Sequence, residues 1–482
     1  MKYLAISLLC LLFNLHLQAQ ESFRIIFNGG AGTSFDEYPN SVTQLPDNSY
    51  EMVLNDYETA IDYQVQGMFH ITKYGITDEY YIFLSYINDA GIYNVFYDGV
   101  KHNKLGIGNW SDSLGKNYIR YICITPSIID PPVIKKYEVN LPHVDKMRSF
   151  IDNDNNLVIC ATLCPDVYPA PYERCFFKMN LKGDSILCRY ETSYTEGGIY
   201  DMFQSGTIYK ALATGYSSAS EGQVLRYDKQ FNLLGINPLP GGLSASTTAK
   251  LNPGGGYFAA GAYLNNAITD IGIVKLNDND SLIGSRIVGA IDTVEVAATD
   301  NTLDFITTSN IFVGGTIVNA SPYDTYPSWY GLYCFDSLLN LRWSKYYGLE
   351  NNVINLHHIL ATSDGGVLLT GNCMDVNVNP HYDVFMLKLD KYGVYTGIED
   401  QSDIKVREVM LYPNPARDNL NIETALPAAE IALYGIYGNE IARKKLRKGI
   451  TDIDITSLLP GIYAYRIISN NKLIESGKWV KQ

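Results

Sequence analysis

Apolar and polar residues alternate in short runs from residue 23 to about residue 398, and clusters of Gly, Asn and Asp break the runs. Period-two alternation turns one face of an extended segment to a core and the other to water, so the pattern predicts strands. Tyr, Val, Ile and Thr favour such segments, while Gly, Asn and Asp supply the turns. Helical spacing is scarce throughout, and the expected fold class is all-β.

A unit recurs within this pattern. Its clearest copy is "ILATSDGGVLLTGNCMDVNVNPHYDVFMLKLDKYGV", residues 359–394, with further copies at 249–280 and 42–75 and weaker ones starting near 150, 202 and 305. Turn anchors near Asp47, Asp154, Ser205, Gly254, Ser309 and Asp364 give a repeat of about 50 to 55 residues with one doubled interval. A hidden copy is therefore expected between 85 and 145, with 95–124 as its candidate. The late turns "GDSIL", "NDSLI" and "FDSLL" support the register, and "SDSLG" at 111–115 is expected to be the same turn in the hidden copy. Each unit offers about four strands, too few to bury both faces, so copies must stack. Solenoid coils are usually shorter than this, and radial stacking of seven four-stranded sheets makes a seven-bladed β-propeller. The ring must also close. "SFRIIFNGG" at 22–30 resembles "LRWSKYYGL" at 341–349, and the last unit lacks such a strand, so the N-terminal strand is expected to complete the last blade. The tract resembles bacterial propeller repeats of the pattern Asp-Gly-Gly, Gly, Lys-Leu-Asp-x-x-Gly, common in secreted proteins; the resemblance implies fold more than function.

Past Gly397 the pattern breaks. Residues 399–408 read as a polar linker, and residues 409–482 offer six or seven short strands, the makings of a small immunoglobulin-like β-sandwich. Pro413 and Pro415 cannot donate to a ladder and belong at an edge or a strand beginning. Three landmarks stand in this segment. They are Tyr412-Pro413-Asn414-Pro415, the run from Asp454 through Leu459, Pro460 and Gly461 to Tyr463, and the run of Gly477, Lys478, Trp479, Val480 and Lys481. Together they resemble the type A C-terminal sorting domain of the type IX secretion system of Bacteroidetes. The resemblance implies passage through the periplasm, recognition by the type IX machinery, and release or anchoring to surface lipopolysaccharide. It also implies a cut in the linker that removes this domain. The start of the chain fits that route: Lys2, an apolar run and Gln18-Ala19-Gln20 read as a signal peptide of residues 1–19 cleaved after Ala19. The propeller then spans 20–398, and no transmembrane segment is expected.

Composition narrows the partners. A formal charge of −14 with only 18% charged residues argues against nucleic acid and anionic lipid, which demand clustered Lys and Arg. Seven cysteines follow the signal, four of them at 160, 164, 175 and 188. An odd number excludes complete internal pairing; local disulfides and free thiols both remain open, and the spacing is not that of a zinc knuckle. No Gly-x-Ser-x-Gly, His-Glu-x-x-His or Walker loop occurs, so no catalytic, cofactor or metal residue is assigned. His357 and His358 adjoin on a predicted strand, where neighbours face opposite ways, so one is expected inward and one outward. "DNDNN" at 152–156 and "NDNDS" at 277–281 lack the glycine and closing acid of a calcium loop and read as turns. The Asp-Ser turns at Ser113, Ser185, Ser281 and Ser337 resemble Bacteroidetes O-glycan sites, and are equally ordinary turns.

The expected function is a secreted or surface binding module for a glycan or protein, supported by tyrosine-rich loops such as "CPDVYPAPYER" at 164–174 and "NASPYDTYPSWYG" at 319–331. The alternative is a polysaccharide-active hydrolase or lyase whose carboxylates converge at the channel mouth from several blades.

Overall fold

The computed structural model describes residues 22–27 and 35–482, less 59–62, 86–90, 98–102, 112–115, 126–131, 140–142, 165–171, 194–195, 216–221, 246, 266–267, 290–293, 319–326, 350, 376, 378–380, 396–403, 408, 413–415, 425, 427, 436–437 and 470–471. The signal peptide, its cut after Ala19 and the residues Pro413, Asn414 and Pro415 lie outside the described residues.

Seven sheets follow one another along residues 24–407. Blade 1 is Phe35–Gln44, Tyr50–Glu58, Tyr63–Ile71 and Thr77–Ser85; blade 2 is Gly91–Tyr97, Lys104–Ser111, Asn117–Ile124 and Val133–Val139. Blade 3 is His143–Ile151, Asn156–Cys164, Tyr172–Asn180 and Ser185–Ser193; blade 4 is Glu196–Ser205, Ile208–Gly215, Gly222–Tyr227 and Leu233–Pro238. Blade 5 is Thr248–Leu251, Tyr257–Asn265, Ile268–Leu276 and Leu282–Val288. Blade 6 has a divided inner strand, Val294–Ala297 and Leu303–Asp304, then Ile311–Val318, Ser328–Phe335 and Leu341–Leu349. Blade 7 takes Asn352–Ala361, Val367–Asp375 and Asp383–Leu389 from one end of the tract and Arg24–Phe27 from the other.

That last pairing closes the ring as the sequence led us to expect. Arg24 to Phe27 run antiparallel to Leu387 to Val384, and Phe23 seats its ring edge-on against Tyr50 of blade 1 at 5.7 Å. Each sheet then presses both faces on its neighbours. Val53 and Met68 meet Ile122 and Ile124 between blades 1 and 2, and Leu105 and Tyr121 meet Met147 and Phe177 between blades 2 and 3. The circle continues through blades 3–4, 4–5, 5–6 and 6–7. Tyr50, Met52 and Leu54 against Leu368, Val384 and Met386 complete it between blades 7 and 1. Burial of an aliphatic or aromatic side chain contributes roughly 1.5–3 kcal/mol, and here it is reached only between sheets.

Turn chemistry explains the repeat. In the late turns Asn180, Asp228, Asn277, Asp336 and Asp390 each accept two backbone N–H bonds, two and four residues on, at 2.7–2.9 Å. Each turn then needs a left-handed residue, supplied by Gly183, Phe231, Asp280, Leu339 and Gly393. The 152–156 stretch is likewise a turn, since Asp152 Oδ1 accepts from Asp154 N and Asn156 N.

Two expectations are corrected. "SDSLG" is not a late turn: Ser111 ends the second strand of blade 2 and Asn117 begins the third, so 112–115, which lie outside the described residues, join second to third strand and not third to fourth. Three matching letters in a turn-rich chain are too few to set a register. The stretch 399–408 is not wholly free linker either, because Ile404–Arg407 pairs antiparallel with Leu349 to Tyr346 at the outer edge of blade 6. A free strand edge offers unpaired N–H and C=O groups to any extended segment that follows.

Residues 409–482 form two facing sheets. Val409–Tyr412, Asn419–Thr424 and Gly449–Asp454 make one; Glu440–Leu446, Ala429–Tyr434, Gly461–Ser469 and Lys472–Lys481 make the other. Leu420, Ile422, Ile431, Leu433, Ile467 and the fully buried Trp479 fill the space between them. This is the expected immunoglobulin-like sandwich.

Candidate functional site

The innermost strands bring charges from several blades together near the axis. Arg148 stands mid-strand in blade 3. Its Nε donates to Tyr200 O of blade 4 at 2.6 Å, and its Nη2 lies 3.1 Å from Asp300 Oδ1. Asp300 belongs to the break in the inner strand of blade 6, an excursion that docks on blade 7: Asp300 N and Asn301 N donate to His357 O at 3.0 and 2.9 Å, and Ile359 N returns a bond to Asn301 O.

Both histidines turn toward that carboxylate. His357 Nδ1 and His358 Nε2 lie 3.6 and 3.7 Å from Asp300 Oδ2. The expectation of one inward and one outward is therefore wrong. A bulge between Leu356 and His358 inserts His357 as an extra residue and resets the alternation. Burial alone would raise the Asp300 carboxyl, yet the His357 hydrogen bond and the Arg148 charge hold it well below the usual range. Burial drives His358 down to about 4, against the pull of Asp300, so it is neutral at pH 7. Asp201 of blade 4 accepts from Ala249 N of blade 5 at 2.7 Å and from Met202 N at 2.8 Å. Burial pushes its carboxyl up to about 6.

This network staples blades 3, 4, 6 and 7 to one another. One guanidinium offsets one buried carboxylate, and the Arg148 donors already meet acceptors on blades 3, 4 and 6. Among the described residues no serine, threonine or cysteine hydrogen-bonds to either imidazole, so no nucleophile and base stand paired there.

Connections sort by rim. Outside blade 2, first-to-second and third-to-fourth strands are joined by two to six residues, whereas most second-to-third connections run to four to nine and leave from the other rim. The tyrosine-rich stretches between Cys164 and Tyr172 and between Val318 and Ser328 are second-to-third connections.

In the sandwich the landmarks converge. Ala416, next to Pro415, donates its N–H to Val480 O, and Gln482 N returns one to Ala416 O, both at 2.8 Å. Gly461 faces Lys481, and Tyr463 faces Trp479, their rings stacked at 4.9 Å. Asp454 Oδ1 accepts from Thr456 N at 2.9 Å and Thr456 Oγ1 at 2.7 Å, and Tyr463 OH donates to Leu459 O at 2.7 Å. Tyr412 ends the first strand opposite Asn421, and Gly477 lies opposite Tyr465. Pro460 is exposed between Leu459 and Gly461. Leu459, Ile462 and Val480 are exposed, with Lys478 on the same face as the opposed pair Ile462 and Val480. What sequence spacing separates into three landmarks is thus one end of one domain.

The family model of the secretion system C-terminal sorting domain matches residues 410–482. No curated protein matches the chain. Among solved structures, Sqt1 from Chaetomium thermophilum is 11% identical with a TM-score of 0.43, covering 75% of this chain and 99% of its own. A neuraminidase-like protein of subtype N11 from A/flat-faced bat/Peru/033/2010 is 13% identical with a TM-score of 0.38, covering 79% and 96%. A protein of unknown function from Dyadobacter fermentans DSM 18053 is 8% identical with a TM-score of 0.38, covering 76% and 97%. Likenesses this slight carry no argument; the ring rests on strand pairing and the interfaces between blades. No helix among the described residues is long and apolar enough to cross a membrane.

Proposed function

We propose, from the premise that residues 410–482 are a type IX sorting domain and the chain is exported to the cell surface or beyond, that the propeller is its cargo: a non-catalytic module that binds a glycan or protein. The axial staple supports this reading. Arg148, Asp300 and the two histidines engage one another around the axis, which leaves recognition to the rim of longer connections. The sequences 164–174 and 319–331 carry Tyr168, Tyr172, Tyr323 and Tyr326, a residue type that supplies rigid, amphipathic contact area. On the sandwich, the exposed Leu459, Ile462 and Val480 beside Lys478 suit docking to the export machinery.

Deleting residues 410–482 should retain the propeller inside the outer membrane, and the paired change Ile462→Asp and Val480→Asp should do the same without unfolding it. On a glycan array and a surface-protein panel, the exported chain should bind without turnover and lose binding in Tyr168→Ala/Tyr323→Ala. Product release from a polysaccharide panel would contradict the non-catalytic reading.

A further inference from the structure

The cysteines divide into two kinds. Cys123, Cys160, Cys175, Cys188, Cys334 and Cys373 are free. Cys160 and Cys334 are buried, and burial pushes both thiols up to about 12; Cys373 is raised by burial too. Such thiols are inert. Cys175 and Cys188 differ because they meet. They lie on the third and fourth strands of blade 3, where Cys175 is opposite Tyr190 and Phe177 is opposite Cys188. Residues two apart on a strand share a face, so the two side chains are diagonal neighbours on one side of the sheet. Cys175 is buried and Cys188 exposed.

We infer that Cys175 and Cys188 are a redox pair, closed as a disulfide once the chain reaches an oxidising compartment. Two observations carry this: the shared face, and the one-sided exposure that lets an oxidant reach Cys188 first. The Cys175 S–H donates to Cys188, and this bond, joined by the Tyr190 hydroxyl and opposed by burial, lowers the Cys188 thiol. Burial, with the same contact, raises Cys175. Cys188 is thus the attacking sulfur and Cys175 the resolving one.

The chemistry balances with a disulfide oxidant. Cys188 gives up its proton and attacks one sulfur of the oxidant, whose other sulfur leaves as a thiolate. Cys175 then gives up its proton and attacks the mixed disulfide at Cys188, expelling the second oxidant sulfur. Two S–H bonds become one S–S bond, and two electrons and two protons end on the oxidant as two thiols.

Geometry also fixes the character of the bond. Diagonal residues in a regular antiparallel pair stand roughly 7–8 Å apart at Cα, just past the usual disulfide span of up to about 6.8 Å, so closing the bond draws the two strands together. The register shift between Lys178 and Met179 beside the pair gives the backbone room to adjust. A bond at this limit is easily reduced, and its strain in the folded sheet offsets the constraint that a loop of 12 intervening residues places on the unfolded chain. It serves as a sensor more than a brace.

Trypsin cuts after Arg174, Lys178, Lys182 and Arg189, which puts the two cysteines in separate peptides. The full chain recovered from the medium, alkylated in denaturant without reductant and digested, should yield 175–178 joined to 183–189, lighter than its parts by two hydrogens. Mild dithiothreitol should separate them with little change in melting temperature. Cys188→Ser should leave Cys175 open to alkylation only after denaturation. Alkyl groups on both Cys175 and Cys188, or either one joined to Cys160 or Cys164, would overturn the pairing.

Discussion

Phe231 and Leu339 hold φ near +60°, where bulky residues are rare, in the position that Gly183 and Gly393 fill in sister blades. The strain costs on the order of 1–2 kcal/mol, yet both side chains are buried and Phe231 stacks on Phe176 at 5.1 Å. Burial outweighs strain, so Phe231→Gly should destabilise the propeller by about 2 kcal/mol in denaturant unfolding despite relieving the backbone. The converse holds at Gly183, where a Cβ would stand 2.5 Å from the Tyr121 ring. Arg148→Ala would leave Asp300 buried without its guanidinium partner, a loss of about 3–5 kcal/mol. Acid should act on the same residues. The folded pKa of His358, about 4, lies below its unfolded value, so its contribution is complete above about pH 6.5 and is lost as pH falls toward 4. His358→Gln should flatten the acid limb of a stability profile over that window. The sequence could not reveal this cluster: it displays two adjacent histidines, while the bulge that unites them depends on the excursion at 299–301, which carries no distinctive composition.

Strands and turns were far easier to read. Asp and Asn at the head of each late turn, with Gly or its substitute three residues on, satisfy two backbone amides within five residues, a local device that needs no tertiary context. Asp336→Ala removes the acceptor for Leu338 N and Asn340 N and should cost about 1 kcal/mol, measurable as a shift in unfolding midpoint. Harder to read were elements defined by a distant partner. Blade 2 was located, but its late turn was misplaced, because its sequence between 95 and 132 lacks the repeat's pattern. Ile404–Arg407 looked like linker because a short charged strand gains its structure only from the edge of blade 6. The convergence of the sandwich landmarks likewise follows from pairings between residues far apart in the chain.

At the scale of the whole molecule, the sandwich leans on the ring through acids. Glu423 of the sandwich is raised to about 7 by burial and by the charge of Asp270 in blade 5. Asp270, raised by burial, is hydrogen-bonded to Glu295 of blade 6, while burial, with Glu423 adding to it, raises the hydroxyls of Tyr333 and Tyr346. A carboxyl raised in the docked state keeps its proton there, so docking is strongest below its free value near 4.5 and weakens as pH rises toward 7. Protection factors at 404–407 and 419–424, with exchange corrected for its intrinsic base catalysis, should fall over that range by up to roughly 100-fold, and Glu423→Gln should remove this fall. Ring closure is the larger claim, since each blade hides its apolar faces only on its neighbours, and the last blade borrows Arg24–Phe27. Native-state hydrogen exchange on the exported chain tests it directly. Closure predicts that the amides of 24–27 are protected together with those of 384–387 and lose protection in the same unfolding event; rapid exchange at 24–27 while 384–387 stays protected would contradict it.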